Sequence, residues 1–381
     1  MPGRPFTTTI TKTDRAAAAD WADWRWQLRN AITEPGALAR VLPMDAEQLE
    51  GVRRAAASGL PLRLTPYLLA QCDPHDARCP IRLQHVPSLN ECRAVPGDRL
   101  DPLGESEHEV APHLIRRYPD RALLIATLQC ASHCRFCTRS RLVRSGAGRA
   151  PLASLQKAFD WLAQHEEVRE VIVSGGDPLT LSTRALSALI AKLKAIGTVE
   201  RIRIATRAPA VMPMRIDREL LEALRPMHPI WFMVHFNHRK ELTAEARAAI
   251  GKLVDHGFPV MSQTVLLRGI NDEAEELAEL FRRLVNERVK PYYLLHGDVI
   301  AGSWHLRTSV ERSIELYAQL QGRLTGIAVP RLVIDTPGGR GKVAIGPESI
   351  VARKAGLTTV RTFRGEQVDI MDPPSEEEPI G

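Results

Sequence analysis

Three cysteines fall within eight residues: Cys130, Cys134 and Cys137 in LQCASHCRFCTRSR. A Cys-x3-Cys-x2-Cys spacing lets one short loop wrap a cubane iron–sulfur cluster, whose usual ligands are thiolates. Three ligands for four irons leave one iron open to a small molecule. His133 inside the loop keeps a Cys3His zinc knuckle available as the competing reading. The remaining thiols are looser. Cys72 and Cys79 bracket His75 in QCDPHDARCP and Cys92 stands alone, so they read as incidental loop thiols.

Two other segments carry chemistry. Ser174-Gly175-Gly176-Asp177-Pro178 closes an apolar run, and its glycines permit close backbone approach to a ligand. Alone, the same residues would also make an ordinary strand-to-helix turn. In IDTPGGRGKVAIGP, residues 334–347, Gly338, Gly339 and Gly341 surround Arg340, and Lys342 follows. A phosphate-binding Walker loop needs Ser or Thr after its lysine, and Val343 breaks that pattern. An amine on a flexible turn suits reversible bonding to a carbonyl, which is how pyridoxal phosphate is held. Taken in isolation, a solvated loop lysine is the better reading.

These residues need a frame, and the sequence supplies one. Apolar, β-rich runs occur at 122–128, 168–175, 201–206, 230–236, 258–266 and 290–296, with a seventh, RLVID, at 331–335. Amphipathic helix patterns fall between and after them at 151–165, 182–196, 217–225, 243–256, 272–287 and 309–324. Alternation of this kind predicts parallel strands with helical crossovers. The expected fold is α/β, a partial (β/α)6 TIM-type barrel, with chemistry at the C-terminal ends of the strands. Trp21, Trp24, Leu28 and Ile32 mark one helix over 14–32, and Asp45 and Gly59 cap a second. A Pro-rich passage through residue 112 reads as an extended arm over the main domain or a partner subunit. The division expected is an arm over 1–112, a barrel over 113–345 and an extension over 346–381, disordered from about 368.

At 381 residues, with 44% hydrophobic residues, the chain buries a core without disulfide staples. No signal pattern or long apolar run is present, so a cytoplasmic location with reduced thiols is expected, and no membrane. The net charge of +6 is spread without interleaved aromatics, which argues against nucleic acid and suits anionic small ligands.

The cluster loop does not stand alone. ArgTyrProAspArg at 117–121, SerGlyGlyAsp at 174–177, ThrArgAlaPro at 206–209, HisPheAsnHis at 235–238, LeuLeuArgGlyIleAsnAsp at 266–272, ProTyrTyrLeu at 291–294 and ProGlyGlyArgGlyLys at 337–342 accompany it in one order. Together they resemble the lysine 2,3-aminomutase family of radical S-adenosylmethionine (SAM), pyridoxal phosphate-dependent enzymes, from about Trp21 to residue 365. The resemblance implies a barrel of the radical SAM kind, a 4Fe-4S cluster on Cys130, Cys134 and Cys137, SAM on its open iron, and pyridoxal phosphate on Lys342. It implies that Arg117 and Arg121 lie near the phosphate, Arg139 on the substrate carboxylate, and Asp298 and Asp335 on a distal ammonium. Ser174, Gly175, Gly176, Asp177, His235 and Gln263 would line SAM.

The activity implied is isomerisation of L-lysine to L-β-lysine by 1,2-amino migration. The alternatives are supply of (R)-β-lysine for elongation factor P modification, or an arginine 2,3-aminomutase. A non-catalytic iron–sulfur or zinc scaffold is the reading from another class, and joint retention of Lys342, Arg139 and both aspartates opposes it. A side-chain carboxylate, as in glutamate, would meet Asp298 and Asp335 with like charge. An electron donor such as flavodoxin or ferredoxin and a homodimer or larger homo-oligomer are implied as partners. The family archetype's structural zinc uses C-terminal cysteines, but no cysteine follows Cys137 here and Glu273 stands where the partner's ligand would be, so no structural zinc is expected.

Overall fold

The computed structural model describes residues 18–144, 150–354 and 357–371. Its main sheet has ten strands in the order in which they occur along the chain. β1 (Glu109–Ala111) and β2 (Leu114–Tyr118) form a hairpin that leads antiparallel into β3 (Arg121–Thr127). Then β4 (Glu170–Gly175), β5 (Arg201–Thr206), β6 (Ile230–His235), β7 (Val260–Val265), β8 (Lys290–Leu295) and β9 (Arg331–Asp335) continue parallel to β3. β10 (Lys342–Ala344) turns back antiparallel on β9. The first and last strands do not pair with each other, so this is an open, partial barrel. The expected fold class is borne out.

Local chemistry explains why the elements start where they do. Four of the crossover helices begin behind Ser182, Asp217, Thr243 and Ser309, whose side chains accept the backbone N–H three residues on. In the helix Thr183–Lys194 the buried Leu186, Leu189, Ile190 and Leu193 lie at helical spacing and face the sheet. Each such side chain contributes about 1.5–3 kcal/mol relative to exposure. On β5 the alternation is direct: Ile202 and Ile204 are buried, while Arg201 and Arg203 point into the barrel cavity.

Three expectations need correction. The single helix expected over 14–32 is two short ones among the described residues, Ala18–Ala22 and Trp24–Arg29. Asp23 breaks it by capping the second through the Arg25 N–H. The helix expected between Asp45 and Gly59 forms, at Ala46–Ser58, but the Pro-rich passage after it is not extended throughout: it contains helices Pro66–Leu69 and Pro80–His85, and it buttresses the cysteine loop. Third, order persists past residue 368. β11 (Ile350–Lys354), β12 (Leu357–Arg361) and β13 (Gln367–Met371) form a separate antiparallel sheet, because Val368 and Ile370 alternate with polar residues and pair with Val360 and Thr358. The rest of the expected tail, 372–381, lies outside the described residues.

Candidate active site

One cavity of about 720 Å³ opens at the C-terminal ends of the parallel strands. Every residue singled out above as a ligand, anchor or binding group lines it: Cys130, Cys134, Cys137, Arg139, Arg117, Arg121, Ser174, Gly175, Gly176, Asp177, His235, Gln263, Asp298, Asp335 and Lys342. His133 does not. Its Nδ1 lies 2.7 Å from the Pro61 carbonyl, and burial lowers its pKa to about 4. Of the loop's candidate ligands, the three thiols face the cavity and His133 does not.

All three cysteines are free, and the loop that carries them is held by the arm. The His133 N–H donates to the Arg63 carbonyl and the Arg135 N–H to that of Gln84. The Arg135 side chain forms a buried ion pair with Glu91 and donates to the Leu60 and Pro61 carbonyls. Burial, reinforced by the neighbouring thiols, pushes Cys130 well up and Cys137 to about 11. Cys130 and Cys137 therefore resist ionising together unless a cation lies beside them. Among the described residues no three His, Cys, Asp or Glu side chains converge on a single-ion point. Three thiols on one loop are a donor set that fits an iron–sulfur cluster, whose positive irons would take the protons' place.

The double glycine answers to the protein itself. A Cβ on Gly175, whose φ is +124°, would lie 2.2 Å from the Thr127 carbonyl oxygen, and one on Gly176 would lie 2.3 Å from that of Gln129. The N–H groups of Gly176 and Asp177 donate to those same carbonyls. The close approach is thus to the end of β3, where the cysteine loop begins. The Asp177 carboxylate is also committed, accepting from the Thr206 hydroxyl and the backbone N–H groups of Leu179 and Arg207. His235 and Gln263 pair across β6 and β7. Asn237 Oδ1 accepts from the Val265 N–H at 2.9 Å, so His235 Nε2, 2.8 Å away, carries the proton. Burial, then the nearby Arg207 cation, lowers the His235 pKa to about 3.

Lys342 opens β10 directly opposite Asp335, and its ammonium contacts that carboxylate. Its N–H donates to the Tyr118 hydroxyl at 2.9 Å, tying the edge strand across the barrel opening. The turn before it runs close under residues 102–108: Gly338 N–H donates to the Pro102 carbonyl, and a Cβ on Gly339 would lie 2.6 Å from the His108 ring. Arg117 lies 3.7 Å from Asp335, while Arg121 pairs with Asp120 and covers the Tyr118 ring at 3.7 Å. Burial, then the neighbouring Asp335 charge, raises the Asp298 pKa to about 7.

Three features went unread in the sequence. Glu105, 2% exposed, grips the Nε and Nη2 edge of Arg139, whose Nη1 donates to the Ser174 hydroxyl at 3.1 Å. Arg201 and Arg203 add cations to the cavity wall beside Glu170, and the Arg-Ile-Arg-Ile alternation of β5 was the available signal. Arg207 donates to Cys134 Sγ.

A three-cysteine loop after the first parallel strand of an open barrel defines a radical SAM enzyme by its architecture. Residues 124–281 match the radical SAM superfamily model and residues 317–377 the lysine-2,3-aminomutase model. The L-lysine 2,3-aminomutase of Fusobacterium nucleatum is 41% identical over 91% of this chain and 81% of its own length. That of Clostridium subterminale is 41% identical over 91% and 83%. The glutamate 2,3-aminomutase of Clostridioides difficile is 34% identical over 93% and 84%. The chain belongs to the lysine 2,3-aminomutase family, a family of radical SAM isomerases. It is a radical SAM 2,3-aminomutase using a 4Fe-4S cluster and SAM on a small-molecule substrate. Among the described residues no helix is long and apolar enough to cross a membrane.

Proposed function

We propose that this chain is an L-lysine 2,3-aminomutase in which Lys342 anchors pyridoxal phosphate and Asp298 and Asp335 receive the substrate's distal ammonium. The observation that carries this reading is the gathering of two carboxylates beside Lys342, with an arginine, Arg139, in the same cavity beside the cluster cysteines. When bound, the cluster and SAM supply a hydrogen-abstracting radical, and pyridoxal phosphate supplies the carbonyl that combines with the migrating nitrogen. The chain's own residues hold the substrate by both ends. Arg139 takes the α-carboxylate, Asp298 and Asp335 take the side-chain cation, and Arg117, Arg121, Arg201 and Arg203 offer cations for the cofactor phosphate. Burial of the cavity excludes water from the reacting carbon.

Substrate choice is decided by charge. Incubating reconstituted enzyme with lysine, arginine and glutamate separately, with β-amino acids identified by mass spectrometry, tests the reading; β-glutamate as the main product would overturn it. A charge-assisted contact is worth about 1.5–3 kcal/mol. Asp298→Asn or Asp335→Asn is therefore expected to lower kcat/KM for lysine roughly ten- to a hundred-fold, with SAM binding intact. Asp298 adds a pH signature. With its pKa at about 7 in the free enzyme, protonation below that value removes the charge the ammonium needs. So kcat/KM for lysine falls as pH drops below 7 and levels above it, and Asp298→Asn flattens that limb. Unchanged pH profiles in parent and variant would show that Asp298 does not meet the substrate.

Glu105 is expected to act through Arg139. A guanidinium has five N–H groups; Glu105 takes two and Ser174 one, which leaves one on each terminal nitrogen for a substrate carboxylate. Glu105→Gln frees the fork to swing. The expected result is a rise of about tenfold in KM, or 1.4 kcal/mol, with little change in kcat. A lowered KM would mean that Glu105 competes with substrate rather than orienting its partner.

A further inference from the structure

We infer that Arg207 and Glu241 form a buried charge pair that sets the reduction potential of the cluster held by Cys134. The inference rests on Cys134 being a cluster ligand, as the family resemblance implies. Arg207 lies in the ThrArgAlaPro segment, just past the end of β5, and lines the cavity. Its Nη1 reaches Cys134 Sγ at 2.6 Å. Its Nη2 donates to Glu241 Oε1 at 2.7 Å and to Gln84 Oε1 at 2.6 Å. Neither residue is solvated: Arg207 is 8% exposed and Glu241 not at all.

Both terminal nitrogens of Arg207 are held, while its Nε is buried without a partner. The other Glu241 oxygen accepts the backbone N–H groups of Asn237 and His238. Asn237 Nδ2 holds the same Gln84 oxygen that Arg207 uses. The Arg207 guanidinium lies over the Phe136 ring, within the cysteine loop, at 5.3 Å. Its backbone N–H is clamped by Asp177. A guanidinium locked this firmly serves orientation, and one of its donors is aimed at a ligand sulfur.

Hydrogen bonds to the sulfurs and nearby charge are the protein's levers on cluster potential. A reduced cluster carries one more negative charge than an oxidised one. A cationic donor on Cys134 favours the reduced form and raises the potential. The carboxylate behind that cation opposes it and limits the rise, because burial leaves little solvent to screen either charge. The two residues therefore act with opposite signs, which a purely structural role would not produce.

The test is an EPR-monitored redox titration of the reconstituted holoenzyme without SAM, with iron and sulfide determined on the same samples. Arg207→Gln, with its iron retained, is expected to move the midpoint more negative by about 59 mV, a tenfold change in a one-electron equilibrium. Glu241→Gln, which keeps the arginine, is expected to move it more positive. Parental midpoints in both variants, or shifts of the same sign, would overturn the proposal. If Arg207→Gln fails to retain iron, Glu241→Gln decides alone: a positive shift supports the pair and an unmoved midpoint refutes it. Failure of the ligand reading is separately visible as a complete cluster in Cys134→Ala.

Discussion

Cys134→Ala protein is expected to lose most of its iron and all SAM cleavage, and Cys130→Ala and Cys137→Ala to do the same. On the proposed reading these three thiols hold the cluster, while the loop histidine is turned onto the Pro61 carbonyl. Losing one leaves a second iron without a protein ligand. Cys134 carries an added penalty, because its removal also strands the buried Arg207 Nη1 that now donates to it. A buried donor left unpaired costs about 1–3 kcal/mol, more when charged, so this variant should also unfold at a lower temperature than the other two. Iron analysis and the yield of 5'-deoxyadenosine check the first expectation, and thermal unfolding the second. A full cluster that still cleaves SAM in Cys134→Ala would remove it from the ligand set.

The parallel strands were legible as β-rich runs, dense in RLVID and alternating in RIRIAT, set between amphipathic helices. RIRIAT and RLVID coincide with β5 and β9 residue for residue. What escaped was written differently. β1, β11 and β13 are short and largely exposed, and β2 buries only Leu114 and Ile115, so no long apolar run announces them. Asp23 was hidden inside a stripe of tryptophans, and only its capping bond shows that the helix stops there. The site was legible where a residue's chemistry is local, as with three thiols in one loop. It was illegible where the chemistry is a partnership between distant segments. Glu105 is 34 residues from Arg139 in sequence, and Glu241 is 34 from Arg207. An isolated glutamate in a polar stretch carries no sign of the guanidinium it will meet. The double glycine was legible as a place of close approach, but the sequence could not say that the approaching atoms are the Thr127 and Gln129 carbonyls.

Lys342→Ala is the sharper test of the pyridoxal phosphate site. The antiparallel pairing of β10 on β9 places Lys342 across from Asp335, and positive φ at Gly338, Gly339 and Gly341 allows the turn that brings it there. Its backbone is fixed by the Tyr118 hydroxyl, so truncating the side chain should leave the strand in place. The lost group is the amine alone. Loss of a positioned catalytic amine is expected to lower kcat on the order of 10³-fold or more, with cluster content and SAM binding retained. The variant should also lose the lysine-bound cofactor's absorbance and the adduct that borohydride fixes to the parent chain. Removing the ammonium leaves Asp298 and Asp335 facing each other with Arg117 as the remaining cation named beside them. The Asp298 pKa, already raised by burial and by Asp335, should rise further. In the cofactor-free variant the Asp298 carboxyl should then titrate at higher pH than in the cofactor-free parent, which a lysine remote from the aspartates could not cause. A borohydride adduct mapping to another residue, such as Lys354 on the exposed β11, would relocate the cofactor and with it the proposed pocket.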